Sequence, residues 1–306
     1  MSNEIPLRSG TLHSKSGIPQ IDVLVVLYNS ERFIAALVEG LRRVTLPIVC
    51  YFLDNASRDR TIDVLLKELE TVPFKSHVLR SLSNNGFARG INLLSGIASS
   101  EFLFVLNPDT VVEDGCIEAL LERAAADAAI GMCEARQVPR EHPKAFDFST
   151  GETSWCTGAA VLIRRQAFRE LNGFDERIFF MYCEDVDLSW KFWLRGWKCI
   201  YVPDAVVQHY TQDIVPGKRR TLENYFTFRN SLFLFYRFGS WKQKHVLYSF
   251  LWNRFVSGRH SFRSKVLYLF AFAHHIRYIP YLFRTRSLWC TERHPWVRLE
   301  ETSLSD

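Results

Sequence analysis

Short apolar runs rich in β-branched residues alternate with amphipathic segments of helical spacing from residue 20 to about residue 135. The first run, Ile21 to Tyr28, is typical of a strand that is buried on both faces, as strands of parallel sheets are. The segments between such strands are expected to be crossover helices that cover the sheet. The alternation therefore predicts an α/β fold with an open, mostly parallel sheet flanked by helices.

The same pattern predicts the individual elements. Strands are expected over Ile21 to Tyr28, Pro47 to Leu53, His77 to Leu82, Phe102 to Leu106 and Ile130 to Ala135. Helices are expected after Ser30, from about Asp59 to Glu70, from Phe87 to Ala98 and from Glu113 to Asp127. A mobile loop is expected over residues 136–153, with further strands over Trp155 to Ile163 and Trp197 to Val202.

Polar clusters follow four of the predicted strands. They are Tyr28-Asn29, Asp54-Asn55-Ala56-Ser57, Asn84-Asn85-Gly86 and Asn107-Pro108-Asp109. Each cluster alone is compatible with an ordinary turn. In open α/β sheets, however, ligands bind outside the carboxyl ends of the strands, where all four clusters are expected to meet. Their convergence predicts a ligand site at this edge.

Three carboxylates lie within four positions at Glu184, Asp185 and Asp187, behind the apolar and aromatic segment Phe179 to Cys183. Like charges at this spacing raise each other's pKa. A helix start lowers that cost, because its first turn offers free N–H groups and the positive end of the helix dipole. The segment is interpreted either as a general base in a partly dry pocket or as a capped helix start with solvated acids.

Two common nucleotide-binding signatures are absent: no Gly-x-Gly-x-x-Gly follows the first strand, and no Gly-x-x-x-x-Gly-Lys-Ser/Thr occurs. Five other motifs are present in order: Val26-Leu27-Tyr28-Asn29, Asp54-Asn55-Ala56-Ser57-Arg58-Asp59, Asn85-Gly86-Phe87-Ala88-Arg89-Gly90-Ile91-Asn92, Leu106-Asn107-Pro108-Asp109 and Glu184-Asp185-Val186-Asp187. In order and spacing they resemble the inverting nucleotide-sugar glycosyltransferases of family 2, which have the GT-A fold. The resemblance covers roughly residues 20–235.

The variant with Asn-Pro-Asp and Gly-Phe-Ala is most similar to bacterial rhamnosyltransferases, with galactofuranosyltransferases as close relatives. This resemblance implies transfer of L-rhamnose from dTDP-rhamnose to a lipid-linked or polysaccharide acceptor in cell-surface polysaccharide assembly, such as that of O-antigen. The alternatives are a UDP-sugar transferase of the same fold, using galactofuranose or a hexose, and a catalytically silent sugar-nucleotide-binding scaffold. A nucleotidyltransferase is disfavoured, since Leu27 to Phe33 has no glycine-rich phosphate loop.

The resemblance also implies residue roles at the donor site. Asp54 would accept a hydrogen bond from the imide N–H that uracil and thymine share, Gly158 would leave room for the sugar, and Arg229 would hold the diphosphate or form a salt bridge. The full set of implied donor-binding residues is Tyr28, Asn29, Asp54, Asn55, Asn85, Gly86, Phe87, Asn107, Asp109, Gly158 and Arg229.

The implied catalytic and metal residues complete the site. Asp185 is the implied general base, with Glu184 contacting the acceptor or positioning Asp185. Asp109 and His209 are the implied ligands of a divalent cation, Mg²⁺ or Mn²⁺, that would bridge the donor diphosphate. Asn107 stands where the family motif has a first aspartate, which is a stronger ligand.

The C-terminal part of the chain differs in charge from the rest. Residues 218–306 contain 16 Lys/Arg and 5 Asp/Glu, a net charge of +11, and 21 of the 43 aromatic residues. Basic, aromatic helices of this kind bind anionic membrane surfaces. The alternatives are packing on the catalytic core and a homodimer interface, and nucleic-acid binding is disfavoured because no nucleic-acid motif accompanies the pattern.

These observations predict a domain organisation and a location. A flexible leader is expected over residues 1–19, a catalytic domain over 20–216 and an amphipathic helical region over 217–306. The leader lacks the hydrophobic core of a signal peptide. No stretch of about 18 uncharged apolar residues occurs, so no transmembrane helix is expected. The protein is expected in the cytoplasm, on the cytoplasmic face of the membrane.

Overall fold

The computed structural model describes residues 19–141, 144–210, 218–240, 244–256, 258, 261–286, 288–289 and 294–299. Eight strands form one sheet in the order β3-β2-β1-β4-β7-β6-β8-β5. In chain order the strands are Ile21–Leu27, Ile48–Asp54, Lys75–Arg80, Phe102–Leu106, Thr110–Val112, Ile130–Val138, Ala160–Arg164 and Lys198–His209.

Ten α-helices accompany the sheet in the described residues. In chain order, α1 to α10 are Ile34–Arg42, Thr61–Glu68, Phe87–Ile97, Cys116–Ala125, Arg165–Glu170, Glu184–Leu194, Lys218–Phe238, Lys244–Phe255, Phe262–Ile276 and Ile279–Arg286. The predicted α/β class, with a mostly parallel sheet flanked by helices, is confirmed.

Strand direction divides the sheet into two parts. β1 pairs in parallel with β2 and β4, and β2 with β3, as crossover connections require. On the other side β7 is antiparallel to both β4 and β6, β6 is parallel to β8, and β5 is antiparallel to β8. The carboxyl ends of β1, β2 and β4 therefore lie at one edge, next to the start of β7.

Two hydrophobic clusters cover the two faces of the sheet. One packs α1, α2 and α4 against the sheet, with Leu37 and Leu120 fully buried. The other packs α3 and α6 against the opposite face and continues into α7, α9 and α10, with Trp190 and Phe233 fully buried. The C-terminal helices thus share a hydrophobic core with the catalytic sheet, which is the packing alternative stated above for this region.

Three sequence predictions in the second half of the sheet were wrong. Residues 155–159 form a loop rather than the start of a strand, because β7 begins at Ala160. β6 extends to Val138, so the expected loop begins later, and Tyr201 N donates to Gly151 O, which joins the end of that loop to β8. β8 runs on to His209, which lies within the strand and not after it.

The short strand β5 was not predicted from the sequence. Its three residues, Thr110–Val112, follow directly after the Asn107-Pro108-Asp109 cluster and read as part of a turn. Thr110 lies opposite His209 in the antiparallel pairing of β5 with β8. Because β5 was not predicted, only the resemblance indicated that Asp109 lies beside His209.

The predicted leader lies largely outside the described residues, as do residues 211–217 at the predicted boundary between domains. The division at residue 216 therefore stays a prediction. Within the described part of the chain, no helix is both long enough and apolar enough to cross a bilayer.

Candidate active site

The ends of β1 and β2 are joined through a polar network. Asn29 has a left-handed backbone with φ 50°. Its N–H donates to Ser57 Oγ at 2.9 Å, and its side-chain Oδ1 accepts from Arg58 N at 2.8 Å. Asp54 is 6% exposed, and its Oδ1 accepts from Ser57 N at 3.0 Å. Tyr28, beside this network, is exposed.

Asn55 connects this network to residues 84–87, which include the implied donor-binding residues Asn85, Gly86 and Phe87 and are called the nucleotide loop below. Its Nδ2 donates to Asn84 Oδ1 and to Gly86 O, each at 3.0 Å, and its Oδ1 accepts from Asn85 N at 2.9 Å. Asn55 is 1% exposed, so these bonds are formed away from water and hold the loop firmly. The convergence of the strand-end clusters expected from the sequence is therefore present for Asp54, Asn55, Asn85 and Gly86.

Gly86 is where the nucleotide loop meets the segment before α6. Its φ is 83°, and a Cβ at this position would lie 2.2 Å from Phe180 O. Only glycine fits such a position. The next N–H, that of Phe87, donates to the same Phe180 carbonyl at 2.7 Å. The loop that begins α3 is thus fixed against the segment that leads into α6.

Asp185 lies in the first turn of α6 and faces the loop before β7. Its Oδ2 accepts from Gly158 N at 2.9 Å, and its Oδ1 accepts from Val186 N at 2.8 Å. A Cβ on Gly158 would contact the Phe87 ring at 3.2 Å and Asp185 Cβ at 3.8 Å. Gly158, Phe87 and Asp185 therefore form one wall of the site.

Glu184, the neighbouring acid, has a different environment. It is 5% exposed, and its Oε2 is buried without a hydrogen-bond partner. Burial raises the pKa of Glu184 well above its ordinary value, and the charge of Asp185 raises it further. Burial also raises the pKa of Asp185, but the Gly158 and Val186 N–H groups oppose that rise. Asp185 is therefore the member of the pair that holds the negative charge.

Replacement of Glu184 by glutamine is expected to raise the melting temperature more at about pH 7.5 than near pH 4.5, the ordinary Glu pKa. Because the folded-state pKa is raised, the stability that Glu184 contributes is present below its unfolded pKa and falls as the pH rises toward its folded pKa. Glutamine keeps the shape without the charge, and each kcal/mol recovered adds about 2–4 °C. Scanning calorimetry at both pH values measures this, and an equal shift at both would contradict the buried-acid assignment.

Asp109 and His209 form a second buried group. Asp109 Oδ1 lies 3.4 Å from His209 Nε2, and the two side chains are 6% and 9% exposed. Gln137 Oε1 lies 2.6 Å from His209 Nδ1, which fixes the imidazole proton on Nδ1. His209 Nε2 is buried without a hydrogen-bond partner and is the ring nitrogen on the side of Asp109. Asn107 N donates to Ala159 O at 2.8 Å, which joins this group to the Gly158 loop.

A buried ion pair beneath the Gly158 loop was missed by sequence reasoning. Lys144 Nζ contacts Glu134 Oε2, and the two side chains are 4% and 2% exposed. The same Glu134 oxygen accepts from Thr157 N at 3.1 Å, while Lys144 donates to Trp155 O at 3.2 Å. Burial raises the pKa of Glu134, and Lys144 opposes that rise. A single glutamate within the apolar strand Ile130–Val138 was the signal that the sequence offered.

Arg229 is in contact with protein groups. Its Nη2 donates to Ile178 O at 2.9 Å, its Nε donates to Asn230 Oδ1 at 3.0 Å, and it is 4% exposed. Its guanidinium lies 5.0 Å from the Phe226 ring and 5.1 Å from the Phe233 ring. Burial lowers its pKa. The diphosphate role implied for Arg229 stays a prediction.

Comparison with known proteins identifies the family of this domain. Residues 22–172 match the profile of Glycosyl transferase family 2. The chain contains a glycosyltransferase family 2 domain. An N-acetylglucosaminyl-diphospho-decaprenol L-rhamnosyltransferase of Mycobacterium tuberculosis is 28% identical over 62% of this chain and 76% of its own length. Rhamnosyltransferase WbbL of Escherichia coli K12 is 41% identical over 68 residues, which are 22% of this chain and 25% of the relative.

Solved structures support the GT-A fold of this glycosyltransferase. The mannosyltransferase PcManGT from Pyrobaculum calidifontis, in complex with GDP-Man and Mn²⁺, superposes with a TM-score of 0.59 at 17% identity over 91% of this chain and 77% of that one. TarS 1-349 of S. aureus gives a TM-score of 0.59 at 14% identity over 93% and 90% of the two chains. At these identities the likeness concerns the fold alone.

Proposed function

We propose that this glycosyltransferase moves L-rhamnose from dTDP-rhamnose to a lipid-linked glycan acceptor, with inversion at the anomeric carbon. The observation that carries the proposal is the Mycobacterium relative, which is matched over 76% of its length and is named a rhamnosyltransferase acting on a diphospho-decaprenol acceptor. An N-acetylglucosaminyl-diphospho-polyprenol is accordingly the first acceptor to test. The proposed role is a step of cell-surface polysaccharide assembly.

The chemical step is assigned to Asp185. Its carboxylate takes the proton of the acceptor hydroxyl as that oxygen forms a bond to the anomeric carbon of the donor sugar. The bond from that carbon to the diphosphate oxygen breaks on the opposite face, and the nucleoside diphosphate leaves with the electron pair. Support comes from the N–H groups of Gly158 and Val186, which donate hydrogen bonds to the Asp185 carboxylate, orient it and favour its ionised form.

Glu184 is assigned to the acceptor. Because its carboxyl group is buried and its pKa is raised well above the ordinary value by burial, it holds a proton that it can donate to an acceptor oxygen. An acid kept neutral in this way binds a sugar hydroxyl without adding a second negative charge beside Asp185.

Asp109 and His209 are proposed to hold Mg²⁺ or Mn²⁺. The fit rests on His209 Nε2, which is buried without a hydrogen-bond partner 3.4 Å from a carboxylate oxygen of Asp109, and on Gln137, which contacts the other ring nitrogen. In the described ranges no group of three or more His, Cys, Asp or Glu side chains could hold a metal ion, so diphosphate oxygens would complete the coordination. The cation would neutralise charge that develops on the leaving diphosphate.

Donor and metal specificity are tested together by thermal shift with dTDP-rhamnose, dTDP, UDP-galactose, UDP-GlcNAc, UDP and GDP, each with Mn²⁺, Mg²⁺ or EDTA. We expect a shift with dTDP compounds that requires the metal, and loss of that metal dependence in His209→Ala. A preference for UDP compounds would contradict the rhamnose donor and favour a UDP-sugar transferase. No shift with any nucleotide would contradict nucleotide-sugar binding and with it the proposed transfer.

The C-terminal helices are proposed to dock on the cytoplasmic face of an anionic membrane, where a lipid-linked acceptor would be found. Large apolar side chains are exposed along α8 to α10, and basic residues such as Arg263 and Arg277 lie among them. The exposed apolar residues are Tyr248, Trp252, Val256, Phe262, Leu269, Phe270, Ile276 and Phe283.

Vesicle flotation tests this surface. The protein is expected to float with vesicles containing anionic phosphatidylglycerol and to remain in solution with neutral vesicles. Trp252→Ser combined with Phe270→Ser should weaken flotation at least about tenfold, since each exposed aromatic loses its apolar contact with lipid. Leu93→Ser, an exposed apolar residue on α3, is the matched control. Failure of the wild type to float, together with a concentration-dependent dimer in solution, would assign the surface to a homodimer interface instead.

A further inference from the structure

The turn that leads into α6 has an unusual backbone. Tyr182 and Cys183 both have φ 67°, in the left-handed region that non-glycine residues avoid. Cys183 is the residue immediately before Glu184, and Asp185 follows it. Such conformations persist only where the surrounding structure enforces them, and they concentrate at active sites. We call residues 178–183 the pre-helix turn.

Groups outside the pre-helix turn bind its carbonyls. Arg229 Nη2 donates to Ile178 O at 2.9 Å, and Phe87 N donates to Phe180 O at 2.7 Å. Asn230 Nδ2 donates to both Met181 O at 2.8 Å and Tyr182 O at 2.7 Å. One amide group therefore uses both of its protons on the carbonyls that flank the first left-handed residue.

Asn230 is itself held in one orientation. It is fully buried on α7, and its Oδ1 accepts from Arg229 Nε at 3.0 Å. An amide whose oxygen faces a guanidinium directs its NH₂ group the other way, toward the turn. Arg229 and Asn230 thus act as one unit, which explains from contacts why these two adjacent polar residues are buried on α7.

We propose that Asn230 is a positioning residue that holds the pre-helix turn in its left-handed conformation and thereby sets the place of the Asp185 carboxylate relative to the donor. This inference rests on the proposed role of Asp185 as the base. Arg229 holds Ile178 at the start of the turn, and Phe180 O supports the nucleotide loop at Gly86 and Phe87. Loss of the Asn230 side chain therefore frees Met181 and Tyr182, at the end of the turn next to Asp185. The contact of Phe180 O with the nucleotide loop remains.

The test compares Asn230→Ala with Thr153→Val, which also removes a buried hydrogen bond to a backbone carbonyl, that of Ala145 at 3.0 Å, but away from the turn. Asn230→Ala is expected to lower kcat between about 10- and 100-fold, since a misplacement of about 1 Å costs that much. Its Kd for dTDP should stay within about twofold of the wild-type value. Thr153→Val should keep wild-type kcat.

A second substitution separates positioning from general support of the fold. Cys183→Gly in the Asn230→Ala background gives the turn a residue for which the left-handed region is not strained. It is expected to restore kcat by at least about threefold. The recovery is partial because the substitution relieves strain at only one of the two left-handed residues. A purely structural loss would not be restored by a glycine, which adds flexibility to the unfolded chain.

Three outcomes would overturn the proposal: an Asn230→Ala enzyme with wild-type kcat, a loss no larger than that of Thr153→Val, or no recovery with Cys183→Gly. These results are distinct from failure of the proposed function. If Asp185→Asn keeps activity, the base assignment fails. If Asp185→Asn is inactive and Asn230→Ala is fully active, only the positioning role fails.

Discussion

Replacement of Asp185 by asparagine is expected to lower kcat about a thousandfold, within the range of about 10²–10⁴ that a general base contributes. Asparagine keeps the shape of the side chain and an oxygen that can accept from Gly158 N, so the wall formed with Gly158 and Phe87 should remain. What is lost is the negatively charged carboxylate, whose oxygen is basic enough to take the acceptor proton. Single-turnover transfer and the Kd for dTDP together measure this.

Asp63→Asn is the matched control, because Asp63 is an exposed acid on α2, away from the strand ends. It should keep wild-type kcat, and both variants should keep the wild-type Kd for dTDP. Because burial raises the pKa of Asp185 above its ordinary value, the acid limb of the kcat/KM profile should lie above the ordinary Asp range and disappear in Asp185→Asn. Near-normal turnover of Asp185→Asn would show that the base is another residue.

Replacement of Arg237 by methionine is expected to have the largest effect on stability. Arg237 is 1% exposed and bridges Asp187 Oδ1 at 2.5 Å and Asp175 Oδ2 at 2.6 Å, which ties α6 and the preceding loop to α7. Removing one partner leaves buried charge without compensation, which costs about 3–5 kcal/mol. At about 2–4 °C for each kcal/mol, the melting temperature should fall by roughly 6–20 °C.

Arg43→Met is the matched control for Arg237→Met, since Arg43 pairs with Asp114 at the surface, where the two side chains are 39% and 81% exposed. A surface pair contributes at most about 1 kcal/mol, so the control should change the melting temperature little. Burial alone would raise the pKa of Asp187, but Arg237 and Lys191 lower it below its ordinary value. The stability that ionised Asp187 contributes is therefore present above the ordinary Asp pKa. It is lost as the pH falls through the pKa of Asp187 in the folded protein. Equal melting temperatures for the two variants would contradict the buried-cluster account.

The sequence was most informative where the spacing of apolar residues locates a strand and the polar residues after it mark the strand's end. The apolar runs located β1, β2 and β4, and their polar ends predicted the meeting of Asn55 with the Asn85-Gly86 loop. Resemblance added Asp109, His209 and Asp185, and the structure places His209 Nε2 within 3.4 Å of Asp109. Pattern and resemblance together were sufficient to recognise the family and to propose the site.

Contacts between residues far apart in sequence could not be predicted in this way. Three-residue β5 is too short to have a period, yet its pairing with β8 brings Asp109 to His209. Lys144 pairs with Glu134 through a segment that was interpreted as a mobile loop, because polar composition does not show which side chain turns inward. Left-handed φ angles at Tyr182 and Cys183 are imposed by Asn230, about 48 residues later, against the local preference of both residues.

The measurement that tests the central claim most directly is sugar transfer itself, with Mn²⁺, dTDP-rhamnose and the N-acetylglucosaminyl-diphospho-polyprenol acceptor proposed above. Mass spectrometry of the lipid product and NMR of its new glycosidic bond report the added sugar and its anomeric configuration. We expect one rhamnose per acceptor, joined with inverted configuration, and no product with EDTA or with Asp185→Asn. Transfer of another sugar from a UDP donor in preference to rhamnose, or a product of retained configuration, would contradict the account.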